Sequence, residues 1–166
     1  MGRKDPSKFY TVRGYALRDQ AQNQLTHSME DYLEMIYRLT TQGSAPHIQD
    51  LAQALNVKPP SATRMVQRLA LAGLVEYRPY RPIALTEQGS KIGSELLRRH
   101  NTISSFLKLL GVTENLQEDT ERLEHNLSSQ TVAAIRQLVE FFCQSNSAAQ
   151  SLAAFLARKR TPESDP

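Results

Sequence analysis

Residues 120–127 read TERLEHNL, and this octamer carries Glu121, Glu124 and His125 together with two leucines, Leu123 and Leu127, set four apart. That leucine spacing predicts a helix. At about 100° of rotation per residue the two carboxylates and the imidazole fall within roughly 100° of arc. Such crowding is compensated either by water or by a cation. As a solvated surface, Glu121 and His125 make an ordinary i,i+4 pair. As ligands, they are part of a metal site whose remaining donors must come from elsewhere in the chain.

Charge is distributed unevenly over the 166 residues, although the net value is only +3. Between residues 42 and 85 the basic residues are Lys58, Arg64, Arg68, Arg78 and Arg81, opposed only by Asp50 and Glu76. Between residues 101 and 145 Lys108, Arg122 and Arg136 face Glu114, Glu118, Asp119, Glu121, Glu124 and Glu140. A positive segment and a negative one point to partners of opposite sign: an anionic polymer for the first, cations for the second. The 40% apolar content and few glycines favour a helical globular chain. No apolar run approaches the roughly 18 residues of a membrane span. MGRKDPSKFY lacks the apolar stretch of a secretory signal, and Cys143 is the single cysteine. A reducing, cytoplasmic setting without membrane association is therefore expected. Cys143 adjoins Phe142 on an apolar helical face and is expected in the core.

The elements that must position these groups are legible from periodicity. HSMEDYLEMIYRLT places Met29, Tyr32, Leu33, Ile36 and Leu39 at helical spacing. Ser28, followed three residues later by Asp31, resembles a capping box with a shortened acid. Asp31 and Glu34 are neighbours on its polar side. Ile48, Leu51, Ala52 and Leu55 define a short helix that Asn56-Val57-Lys58 breaks. Pro59-Pro60-Ser61 opens the next, with Ala62, Met65, Val66 and Leu69 inward and Gly73 as its stop. Two short helices across a tight turn are a helix-turn-helix. The outward face of the second carries Ser61, Arg64, Gln67 and Arg68, side chains suited to base edges and phosphates. A helical hairpin with a polar face need not touch DNA. However, LVEYRPYRPIALT then predicts strands over Leu74–Tyr77 and Ile83–Leu85 around a tip of Arg78, Tyr80 and Arg81, the layout of a winged helix. Thr86 is placed to cap a long helix containing Ile92, Leu96, His100, Ile103, Phe106, Leu107 and Leu110. After the octamer, two helices present Val132, Ile135, Leu138, Val139 and Phe142, then Leu152, Phe155 and Leu156. That is more apolar stripe than a small domain buries alone, and a homodimer would cover it.

SMEDYLEMIYRL, VKPPSATRMVQRL, the RRH of the long helix and ERLEH, in unbroken order over about residues 26–143, resemble the diphtheria toxin repressor family and, within it, the manganese-transport regulators. The resemblance implies a mainly α protein: an N-terminal winged helix-turn-helix followed by an α-helical metal-binding and dimerisation domain. The division expected is an extension over 1–25, the DNA-binding domain over 26–86, the helical domain over 87–160 and a tail over 161–166. It implies a homodimer that binds double-stranded operator DNA when loaded with metal and represses metal-uptake genes, and not an enzyme. The family's ligands fall on Asp31, Glu34, His100, Glu121, Glu124 and His125, enough for two Mn²⁺ per subunit sharing bridging carboxylates. Four carboxylates and two imidazoles suit a hard cation. In the iron-responsive branch a methionine resembles the position of Asp31 and a cysteine that of Glu121, and a small β-domain follows the helical one. Fe²⁺, Co²⁺, Cd²⁺ or Zn²⁺ are possible substitutes, since affinity at such sites rises toward Cu²⁺ and Zn²⁺ and selectivity must come from geometry. DNA contacts are expected from Pro60, Ser61, Thr63, Arg64, Gln67, Arg68, Arg78, Tyr80 and Arg81, with Ser61 and Arg64 reading bases.

Two rival readings remain open at this stage. A dinuclear carboxylate oxidase would carry Glu-x-x-His on two helices. Here Glu121 and His125 are four apart and the motif is not repeated. A metal-independent winged-helix regulator, sensing an organic ligand or a protein partner, would leave the acidic cluster as plain surface.

Overall fold

A computed structural model describes residues 25–43 and 45–160. The elements are α1 (His27–Thr41), α2 (Ile48–Ala54), α3 (Pro59–Leu71), β1 (Val75–Glu76), β2 (Ala84–Leu85), α4 (Glu87–Leu109), α5 (Leu116–Glu124), α6 (Ser129–Gln144) and α7 (Asn146–Arg160). Among the described residues no helix is long and apolar enough to cross a membrane. The possible N-terminal arm around Phe9–Leu17 and the tail over 161–166 lie outside the described residues.

α1 buries Met29, Tyr32, Leu33 and Ile36 along one stripe. Leu33 and Ile36 are wholly inaccessible, which is worth about 1.5–3 kcal/mol each. An N-cap contributes about 1 kcal/mol. Packing therefore sets where the helix lies, and the cap sets only where it starts. The start differs from the sequence expectation. Thr26, not Ser28, is the N-cap, its hydroxyl accepting from the Met29 amide at 3.4 Å. Met29 must sit inside the first turn to reach the core, so Ser28 stays exposed and Asp31 has no capping role.

α1, α2 and α3 close around Leu51, Ala52, Ala62, Val66 and Leu69, joined by Leu74, Val75 and Ile83 from the wing. Pro59 and Pro60 occupy the first turn of α3. Asn56 takes a left-handed φ of 52° in the turn between α2 and α3. The wing strands are shorter than the apolar runs suggested, with Val75 opposite Leu85 and Glu76 opposite Ala84. The Leu74 amide instead closes the end of α3 on the Leu69 carbonyl, past Gly73 at φ 72°. The Ile83 amide bonds the Pro46 carbonyl, and Pro79 and Pro82 have no amide to give the ladder.

α4 is the rod that joins the two halves. The Thr86 hydroxyl caps it through the Gly89 amide at 3.0 Å. Its first part sends Ile92 and Leu96 to the winged-helix core. Its second part sends Ile103 and Leu107 to a smaller core with Val132, Leu116, Leu123 and Leu127. Gly93 lets α4 and α1 approach closely, since a Cβ there would lie 2.7 Å from the Cβ of Tyr37.

The end of the chain is less well covered. Leu138, Phe141 and Phe155 are exposed on α6 and α7. Cys143, expected in the core, is exposed too. α6 fully buries only Val132, so among the described residues its apolar side chains outnumber the surface that covers them.

Candidate metal centre and nucleic-acid interface

Three helices bring the six expected ligand residues together. α1 supplies Asp31 and Glu34, α4 supplies His100, and α5 supplies Glu121 and Glu124, with His125 as its C-cap residue. His125 Nε2 lies 3.0 Å from Asp31 Oδ1. His100 Nδ1 lies 3.0 Å from Glu124 Oε2, 3.8 Å from Glu121 Oε1 and 4.0 Å from Glu34 Oε1. Donor atoms of Asp31, Glu121, Glu124 and His125 lie within 4.8 Å of one another, and so do those of Glu34, His100 and Glu124. Glu124 belongs to both groups. It is also buried, so its carboxylate looks inward toward both sets of partners rather than into water.

The local sequence explains the convergence. His100 sits within the long helix at the level where α1 crosses it, a crossing made close by Gly93. Thr120 turns its hydroxyl back to the Leu116 carbonyl and is wholly buried, which seats α5. Arg99 donates to the Leu127 carbonyl and ties the chain just past His125 to α4.

Within the chain these groups rest on one another. The His125 imidazole is pushed up to about 10, first by its hydrogen bond to Asp31 and then by Glu30, against the opposing effect of burial. The hydrogen bond to Glu124 raises His100. Burial raises the Glu124 carboxyl, with Glu121 and Glu34 adding to it and His100 opposing. Glu34 also accepts from Arg38 at 2.6 Å. Protons and one guanidinium thus neutralise part of a carboxylate cluster. A divalent ion would do so with fewer groups, and the oxygen and nitrogen donors have the types and spacing to hold one.

Two further residues join the cluster that the sequence reading did not single out. Glu30 and His27, both on α1, lie beside His125, with donor atoms again within 4.8 Å of one another. Burial works against the charge of Glu30, but His125 and His27 outweigh it and hold its carboxyl below the usual range. The signal was present as an i,i+3 and i,i+4 set, His27, Glu30 and Asp31, at the start of the first helix.

The expected DNA-contacting residues form a separate surface. Pro60, Ser61, Arg64, Gln67 and Arg68 are exposed along α3, and Arg78, Tyr80 and Arg81 at the wing tip. Tyr80 projects fully into solvent from a left-handed φ of 62°. Thr63 is the inward member of the set, half-buried and with its hydroxyl on the Pro59 carbonyl. Among the described residues no ion pair engages Arg64, Arg68, Arg78 or Arg81.

Comparison with known proteins sets this geometry in context. Residues 24–83 match the family model described as the iron dependent repressor N-terminal DNA binding domain. Residues 86–159 match its metal binding and dimerisation domain. The chain is 37% identical over 141 residues to the HTH-type transcriptional regulator MntR of Shouchella clausii, covering 84% of this chain and 99% of that one. It is 43% identical over 118 residues to the MntR of Geobacillus thermodenitrificans, covering 70% and 84%. Among solved structures it is similar to the manganese regulator SloR, with TM-score 0.61 and 30% identity over 70% of this chain and 55% of that one. It is also similar to ScaR with bound Zn²⁺, with TM-score 0.57 and 35% identity over 68% and 54%. The chain spans about half the length of those solved structures.

Proposed function

The chain belongs to the iron-dependent, or diphtheria toxin, repressor family in its manganese-regulator branch, and from that premise we propose that it is an Mn²⁺-dependent transcriptional repressor of manganese-uptake genes, acting on operator DNA as a homodimer. The observation that carries the reading is the meeting of six donor side chains from α1, α4 and α5, with buried Glu124 shared between two donor groups. Asp31, Glu34, His100, Glu121, Glu124 and His125 are the proposed ligands and would hold two ions per subunit. Four carboxylates and two imidazoles, with no sulfur donor, favour Mn²⁺ over softer ions by donor type. We place the boundary between the reading half and the helical half at Thr86 and Glu87, where α4 starts.

When bound, divalent ions supply the positive charge that carboxylates from different helices share. The chain's residues turn that into DNA affinity through α1. Asp31 and Glu34 on this helix face His125 and His100 of the helical half, while Leu33 and Ile36 pack with α2 and α3. Glu121, Glu124 and His125 belong to the half that carries the dimer face. Tying the two groups together restrains the reading heads relative to the dimer. In the restrained dimer the two α3 helices would stand about one helical turn of DNA apart, roughly 34 Å. Ser61 and Arg64 would read base edges. Thr63, Gln67, Arg68, Arg78, Tyr80 and Arg81 would hold phosphates and sugars, with Pro60 at the start of the reading helix against the backbone.

Calorimetric titration with Mn²⁺, paired with operator binding before and after chelation, tests this. We expect about two ions per subunit and a loss of operator affinity on chelation of at least tenfold, a coupling of about 1.4 kcal/mol. Operator binding indifferent to chelator would replace this reading with a metal-independent regulator.

A further inference from the structure

His27, Glu30 and His125 form a donor group apart from the two assigned above. His27 Nδ1 lies 3.5 Å and His125 Nδ1 3.7 Å from the same oxygen, Glu30 Oε2. The two imidazole rings are 4.6 Å apart at their centroids and inclined by 53°. The His27 Nδ1 atom is itself buried, held between the Glu30 carboxylate and the His125 ring. A metal with bonds of about 2.0–2.1 Å to nitrogen and oxygen has tetrahedral donor–donor edges of about 3.3–3.4 Å. The two measured edges stand within a few tenths of an ångström of that.

We propose that His27, Glu30 and His125 form a nitrogen-rich cation site flanking the six-donor centre, one that takes a borderline ion such as Zn²⁺ in preference to Mn²⁺. Two imidazoles and one carboxylate are a common zinc donor set, with a fourth position left for water. The site bears on selectivity through His125, whose Nε2 faces Asp31 and whose Nδ1 faces Glu30. A neutral imidazole has one nitrogen lone pair to offer. His125 can therefore serve one side at a time, and an ion on the flank withdraws it from the six-donor centre. Affinity alone does not keep zinc out of an oxygen- and nitrogen-donor site. A competing site that captures zinc takes the His125 imidazole away from Asp31, Glu121 and Glu124, and the two metals then compete for that one ring. The competition, though not the ligand set, rests on the manganese reading above.

Co²⁺ is the probe, because tetrahedral Co²⁺ absorbs visible light far more strongly than octahedral Co²⁺. Titration of the full chain should develop an intense band that is lost in His27→Ala and kept in Glu121→Gln. Calorimetric Mn²⁺ affinity in His27→Ala should stay within about twofold of wild type. His27→Gln, checked for helical content by circular dichroism, provides a second variant should His27→Ala misfold. An intense band that survives both His27 substitutions, or no intense band in the wild type, overturns the site. An Mn²⁺ affinity that falls as far as Co²⁺ affinity in a folded His27 variant overturns its separateness. If wild type binds no Mn²⁺ yet its Co²⁺ band depends on His27, the flanking site stands and the manganese reading fails.

Discussion

His125 carries two jobs on one ring. With carboxylates on both sides it holds a proton up to about pH 10, because Asp31 and then Glu30 stabilise the imidazolium. A metal needs the lone pair that this proton occupies. Near neutral pH a proton must leave before or as the ion binds, so affinity falls as pH falls. Mn²⁺ binding at pH 7 should release at least one proton per subunit, and log affinity should rise by about one or more per pH unit through the neutral range. Calorimetry in buffers of different ionisation enthalpy measures that release directly. A binding heat independent of the buffer would remove His125 from the ligand set.

Helix packing governs the next level. α1 and α4 cross where Gly93 meets Tyr37, and that crossing sets how closely Glu34 on one helix approaches His100 on the other. Gly93→Ala would place a methyl 2.7 Å from the Tyr37 Cβ, and the helices must separate. The expected costs are about 1–3 kcal/mol in stability, as for other overpacked contacts, and a weaker Mn²⁺ affinity. Thermal unfolding in chelator and calorimetry check the two separately. An unchanged Mn²⁺ affinity would show that the crossing does not control the donor spacing. Arg81 is exposed and has no carboxylate partner among the described residues. Arg81→Ala should weaken binding to all DNA sequences alike and flatten the salt dependence by about one in slope. A change in sequence preference at constant slope would place Arg81 at a base edge instead.

At the scale of the whole molecule the two halves have different needs. The winged-helix core closes on itself around Leu33, Ile36, Leu51, Leu69 and Ile83. The second core has only Ile103, Leu107 and Val132 as its buried members, and leaves Phe141 and Phe155 exposed. We propose that a second copy covers this face, in keeping with the match to a dimerisation domain. Phe141→Glu should shift the sedimentation equilibrium toward monomer. It should also lower operator affinity by an order of magnitude or more, since one reading head loses the second half-site. A dimer as stable as wild type would move the interface away from Phe141.

Periodicity alone determined the helices, the helix-turn-helix and the wing, because each buries a local stripe whose spacing is written in consecutive residues. The proposed donor list came from the resemblance of several separated motifs to the family, and the fold brings those residues together. Other features depended on distant parts of the chain. Thr26 displaced Ser28 as the cap because Met29 had to reach a core built from α2 and α3. Ile83 left the strand because its amide met Pro46. Cys143 was expected inside, yet it is exposed, and among the described residues nothing covers that side of α6. The sharing of Glu124 between two donor groups, and the arrival of His27 and Glu30 beside His125, exist only once α1 is laid across α4 and α5. Neighbours in sequence fix which way a side chain leaves its own helix, whereas the distance between donors on different helices is set by how those helices pack.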